Sequence, residues 1–197
     1  GNNNHQSSSN SNHQSNSDYD NVHSNIVVNE IHIDADMVSI EYVITQSQEY
    51  RVEAILYHGD RIEEEIHDTS WSIELINSNR MNRNKSSILR IYVPADKVFD
   101  LIDIDSDMSS VTIREVKAVN LDIDADMTSV VIHAAEVDYL EADISMADFT
   151  YSGIIKRSAD VSNSMGDTTL NLDMDEETVG YSISNSMGSV SVGNSHH

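Results

Sequence analysis

DIDSDMSSVTI at residues 103–113 is followed nineteen residues later by DIDADMTSVVI at 122–132, and these two stretches decide the fold. The pattern continues without gaps as EADISMADFTY at 141–151 and DVSNSMGDTTL at 160–170. It closes, after a spacing of twenty-two, with SISNSMGSVSV at 182–192. Each copy carries one methionine (Met108, Met127, Met146, Met165, Met187), and an earlier copy sits at Met37. A fixed period of this size marks stacked structural units, none of which can bury its apolar face alone.

Aligned on the methionine, the copies form columns. Four residues before it stand Ile104, Ile123, Ala142, Val161 and Ile183; three after it, Val111, Val130, Phe149, Thr168 and Val190; five after it, Ile113, Ile132, Tyr151, Leu170 and Val192. Apolar columns alternate with polar ones, which is the period-two mark of strands with one buried face. The small residue after each methionine (Ser109, Thr128, Ala147, Gly166, Gly188) suits a tight bend. The expectation is an all-β, single-chain β-solenoid of about nineteen-residue coils, with equivalent residues stacked about 4.8 Å apart. Six aligned methionines invite a soft-metal reading, but they read first as core filler at a solenoid corner. Asn163 and Asn185 fall on the inward face and read as a buried amide ladder.

Working outward, residues 26–97 read as less regular N-terminal coils or a cap, and 98–193 as the regular stack. Residues 26–33, 42–44 and 50–57 look like strands, and His58-Gly59-Asp60 like a turn. Residues 71–76 and 88–93 are expected to pair as a hairpin around a polar loop at 77–87 carrying Arg80, Arg83 and Lys85. The sole proline, Pro94, closes a strand, where its missing N–H does least harm. The longer last repeat predicts a loop near 173–178. Residues 1–25 are almost all Asn, Ser, His and Gln, and read as a disordered tether, with 194–197 as a tail. Gly1 reads as a cloning scar, and an N-terminal signal or membrane anchor ahead of it is expected.

Composition limits function. Lys+Arg 11 against Asp+Glu 34 gives a net charge of −23, which repels nucleic acid. With no cysteine there are no disulfides and no thiolate chemistry. No Gly-x-Ser-x-Gly element and no phosphate loop occurs, and His32, His58, His67 and His133 lack metal-ligand spacing.

One constellation invites chemistry: an outward acidic ladder of Asp103, Asp105 and Asp107, then Asp122, Asp124 and Asp126, then Asp143 beside Glu141. It fades to Asp160 and then to serine in the last two copies. Carboxylates one strand apart repel by about 1 kcal/mol in water. A solvated acidic face that discourages edge aggregation is the first reading. A Ca²⁺ site is the second, since Ca²⁺ takes six to eight oxygens. An EF-hand does not fit: the sixth position needs glycine and is Met108 or Met127, and the twelfth needs Glu and is Arg114 or His133.

The run Ile91-Tyr92-Val93-Pro94, then Leu101-Ile-Asp-Ile104, then the Ser-Asn-Ser-Met-Gly motifs at 162–166 and 184–188, resembles the bacterial β-strand-repeat domains named "putative adhesin", a family of unknown function. The resemblance spans about residues 26–193. It implies a β-helix in an exported or membrane-anchored protein and brings no catalytic residues. The Asp-rich early copies, and the scarcity of glycine at the bends of the first three, depart from the family pattern.

The function expected from these readings is a non-enzymatic exported or cell-envelope protein with an adhesin-like binding or structural role, its ligand a protein or glycan. An acidic Ca²⁺-binding module is the alternative, and a polysaccharide-acting β-helix enzyme a remote third. A monomer or weak dimer is expected, because an open sheet end can pair.

Overall fold

The computed structural model describes residues 18–78, 84–173 and 180–194. Among these every regular element is a strand, and all fourteen join one large mixed sheet that does not close into a barrel.

The repeats build two parallel ladders. The segment before each methionine pairs with its counterpart in the next copy, and so does the segment after it. The first ladder runs through β6 (Ser70–Ile76), β2 (Glu30–Ala35), β8 (Phe99–Asp107), the later halves of β9 (Ser110–Asp126), β10 (Ser129–Ser145) and β11 (Phe149–Ser164), and β13 (Gly180–Ser186). The second runs through β7 (Ser87–Pro94), β3 (Val38–Thr45), the early halves of β9, β10 and β11, then β12 (Thr168–Leu172) and β14 (Val190–Asn194). Register follows the counted period: Val111 lies opposite Val130, and Val130 opposite Phe149.

The Met37 copy stacks directly on the Met108 copy, with Ile33 opposite Ile104 and Ile40 opposite Val111. The chain between them leaves the stack, builds the N-terminal end and returns. There the ladders gain antiparallel strands: β5 (Arg61–His67) on β6, and β4 (Tyr50–Ile55) on β7 with β1 (Tyr19–His23) beyond it. β5 is highly charged, and charged edge strands resist pairing with other chains. At the other end β13 and β14 each pair on one side only, among the described residues.

Three expectations change. β6 and β7 do not form a hairpin. Each instead continues a parallel ladder, because their inward residues Trp71, Ile73, Leu75, Leu89 and Ile91 extend the stacked core on two different walls. The tether boundary at residue 25 moves, since Tyr19–His23 is a strand; Tyr19, Asn21 and His23 find polar partners inside the cap that composition could not reveal. Residues 1–17, the loop tip at 79–83 and the expected loop near 173–178 lie largely or wholly outside the described residues. The turn at His58-Gly59-Asp60 and the strand-closing Pro94 stand as read.

The third change is the methionine column. The bend falls on the methionine itself: Met37, Met108, Met127, Met146, Met165 and Met187 all have φ between 46° and 60°. That left-handed turn swings the side chain out of the core, so Met108, Met127, Met146 and Met165 are 41–43 % exposed, and only Met37 is buried.

Two chemistries close the corner behind these bends. In the early copies a hydroxyl does so. Ser109 Oγ donates to Asp107 O at 2.9 Å and accepts from Val38 N; Thr128 Oγ1 donates to Asp126 O at 2.9 Å and accepts from Ser109 N. In the late copies an amide takes over. Asn163 Nδ2 donates to Ala147 O, and Asn185 Nδ2 to Gly166 O, each at 3.0 Å. The two amides are adjacent, as read, but each bonds to a neighbouring backbone rather than to the other. The adjacent Gly166 is required there: a Cβ would sit 1.9 Å from Ala147 O. Thr128 is fully buried, so Thr128→Val keeps the shape and strands the Ser109 N–H. A loss of about 2 kcal/mol is expected in denaturant unfolding, with the slope unchanged.

Candidate functional site

The outward face of the first ladder concentrates the charge. The predicted residues fall opposite one another: Asp103 with Asp122, Asp105 with Asp124, and Asp107 with Asp126 on β8 and β9, then Asp122 with Glu141 and Asp124 with Asp143 on β10. Parallel pairing brings carboxylates to a strand spacing of about 4.8 Å. Among the described residues, no three His, Asp or Glu converge closely enough to hold a metal ion. The ladder is thus a line of pairs rather than a cage.

The line is longer than the sequence suggested. Asp34 on β2 lies opposite both Asp105 and Glu74, and Glu74 opposite Glu63 on β5. Glu63, Glu74, Asp34, Asp105, Asp124 and Asp143 therefore form one row crossing six strands, and Ser162 and Ser184 end it. The alignment of HIDAD at 32–36 with DIDAD at 122–126 was a usable signal for Asp34. Nothing local pointed to Glu74 or Glu63, because their strands reach the row only through tertiary pairing. A pocket lined by Asp143, Ser162, Ser164, Ser184 and Ser186 opens where acid gives way to serine.

Arg61 bridges Glu63 at 3.1 Å at one end of the row. His32 faces Asp103 at 3.2 Å with one ring nitrogen and Glu30 at 3.3 Å with the other. The outward face of the second ladder is built differently: Arg90 bridges Glu41 and Glu53, while Arg51 holds Asp20 and Glu53 and stacks on Tyr92. The crowding of carboxylates at the centre of the face shows in the acidities. Partial desolvation, then the neighbouring carboxylates, hold Asp105, Asp122 and Asp124 above the usual aspartate range. Asp105 feels Asp124 and Asp34 most, Asp122 feels Glu141, and Asp124 feels Asp143.

Carboxylates raised in the folded state favour folding when protonated. Their contribution is fully present below the unfolded value and is lost as pH rises through the folded one. The melting midpoint at low ionic strength should therefore climb as pH falls from 7 toward 4.5. Asp124→Asn should raise the midpoint at pH 7, by about 0.5 kcal/mol equivalent for an exposed pair, and flatten that climb. Scanning calorimetry of both proteins across this range checks it.

No protein-family model matches the chain, and no curated protein does. Several solved structures are similar in fold. A "putative cell adhesion protein" from Clostridium sporogenes aligns over 90 % of this chain and 99 % of its own, at 10 % identity and a TM-score of 0.47. A "putative adhesin" from Bacteroides fragilis aligns over 90 % and 96 %, at 14 % identity and a TM-score of 0.39. A "putative lipid binding protein" from Parabacteroides distasonis aligns over 88 % and 96 %, at 12 % identity and a TM-score of 0.26. At these values none carries a binding residue over to this chain.

Proposed function

We propose that this chain is a non-enzymatic, adhesin-like protein of the cell exterior or envelope, held by an N-terminal anchor, whose repeats wind as the coils of a β-solenoid and whose acidic row is its recognition face. The observation that carries the reading is the row itself. Six carboxylates cross six strands; Arg61 bridges Glu63 at one end, and Asp105, Asp124 and Asp143 follow one another directly in register, while on the adjoining face Arg90 and Arg51 alternate with acids. A fold selected only for stability would have interleaved charges here as it does there. The in-register parallel pairing at the nineteen-residue period supports the solenoid winding. A ligand with spaced cationic groups, on a protein or a glycan, suits such a surface.

Cell fractionation and protease shaving of the source organism test the location, and a purely cytoplasmic protein sinks the reading. Surface binding of the purified chain to host-derived glycans and basic proteins tests the face. Asp105→Asn/Asp124→Asn/Asp143→Asn should lose most of that binding while keeping the β spectrum.

A second reading keeps the same residues. Asp103, Asp105, Asp107, Asp122, Asp124, Asp126 and Asp143 share Ca²⁺ ions between strands, favoured by the carboxylate-on-carboxylate register. An unchanged melting midpoint with Ca²⁺ against EDTA at low salt removes it.

A further inference from the structure

Six of the eight methionines of this chain stand at one place in the repeat. The backbone does not ask for methionine there. Its positive φ costs a residue with a side chain about 1–2 kcal/mol, and glycine, asparagine or aspartate enters that region more readily. Packing does not ask for it either, since the four central side chains are more than two-fifths exposed. What recurs is the thioether.

The repeat aligns the backbones that carry these thioethers. Each methionine N–H donates to the carbonyl of the residue preceding the next methionine: Met37 to Asp107, Met108 to Asp126, Met127 to Ser145, Met146 to Ser164 and Met165 to Ser186, at 2.7–3.0 Å. Consecutive bends are thereby held at strand spacing, about 4.7–4.9 Å. A metal–sulfur bond is about 2.3 Å long, so an ion midway between two such sulfurs spans about 4.6 Å. Thioethers are soft, uncharged donors that select Cu(I)-like ions and ignore Ca²⁺. Asp105, Asp107, Asp124 and Asp126, three and one residues before Met108 and Met127, add a negative field that concentrates cations.

We propose that Met108, Met127, Met146 and Met165 form a thioether ladder that binds a soft monovalent cation, Cu(I) or its redox-stable counterpart Ag(I), between consecutive repeats. The donors are sulfur atoms rather than the carboxylates of the acidic row, whose Asp105 and Asp124 add only their field, and the ion is of a different class.

The test is titration of the full chain with silver nitrate in chloride-free buffer, followed through methionine ¹³C-methyl resonances. The methyls of Met108, Met127, Met146 and Met165 should shift, and that of buried Met37 should stay. Met127→Leu/Met146→Leu should weaken silver binding at least tenfold with the β spectrum unchanged. Absence of methyl shifts at millimolar silver overturns the proposal. So does equal affinity in a variant with all four methionines changed to leucine, which would place the ion on the histidines; if that variant fails to fold, equal affinity in the double variant is equally decisive.

Discussion

Gly153→Ala is expected to lower the melting midpoint by about 6–20 °C. Gly153 has φ +142°, a conformation rare for residues with a side chain. A Cβ built there lies 2.1 Å from Ala135 O, 2.7 Å from Ala135 N and 2.9 Å from Ala135 C. All three are backbone atoms, so no rotamer change relieves the overlap. The site is where β10 and β11 slip register: Ile132 pairs with Tyr151, but Ala135 pairs with Gly153. The bulge needs the close approach, and alanine must push the strands apart in the middle of the stack. Such a distortion costs about 3–5 kcal/mol, and each kcal/mol shifts a domain of this size by about 2–4 °C. Gly180→Ala is the control. Nothing lies within 4 Å of a Cβ there, and its effect should stay within about 0.5 kcal/mol. Equal melting of the two variants would refute the account.

Glu64→Ala should cost a comparable amount, about 3–4 kcal/mol, by opening the N-terminal end. Glu64 lies on β5 at an inward position opposite Ile73, and its side chain is only 6 % exposed. It accepts bonds from Tyr19 Oη, Asn21 Nδ2 at 2.7 Å, His23 Nε2 at 2.8 Å and Trp71 Nε1 at 2.9 Å. Three of these donors are on β1, which belongs to the second ladder, while β5 and Trp71 belong to the first. One carboxylate thus clasps the two walls together, and its removal leaves four donors unsatisfied.

Burial alone would raise the Glu64 carboxyl, but the four donors outweigh it and hold the group below the usual glutamate value of 4.5. The same contact, with burial first, pushes the Tyr19 phenol up to about 12. For a lowered carboxyl the sign is opposite to that of the acidic row. The clasp contributes fully above pH 4.5 and is lost as pH falls through the folded value. Hydrogen exchange should show β1 amides opening first as the Glu64 carboxyl protonates below pH 4.5 in the wild type, and at neutral pH in Glu64→Gln. Uniform protection of β1 in that variant would mean the clasp contributes little.

Periodicity alone carried the reading of the repeat. Ile104, Ile123 and Val130 could be assigned to the core, and Asp105 and Asp124 to one outward face, because strand alternation is a local rule that each nineteen-residue copy repeats. The same rule misled at the methionines. An apolar residue at a strand end reads as core, and only the backbone dihedral at the bend turns it outward. The hairpin expected from residues 71–76 and 88–93 failed for a related reason: two apolar strands with a polar loop between them look alike whether they pair with each other or with two separate walls.

The sequence by itself determined an all-β chain of stacked repeats with an acidic outer column, since period, composition and charge are properties of the linear order. The tertiary structure decided what pairs across distance. It inserted the Met37 copy against the Met108 copy, joined Glu63, Glu74 and Asp34 to the aspartate row, and brought β1 to Glu64. Those contacts link residues about ten to seventy positions apart, where no local pattern distinguishes one partner from another and the shared burial of a continuous core selects the pairing.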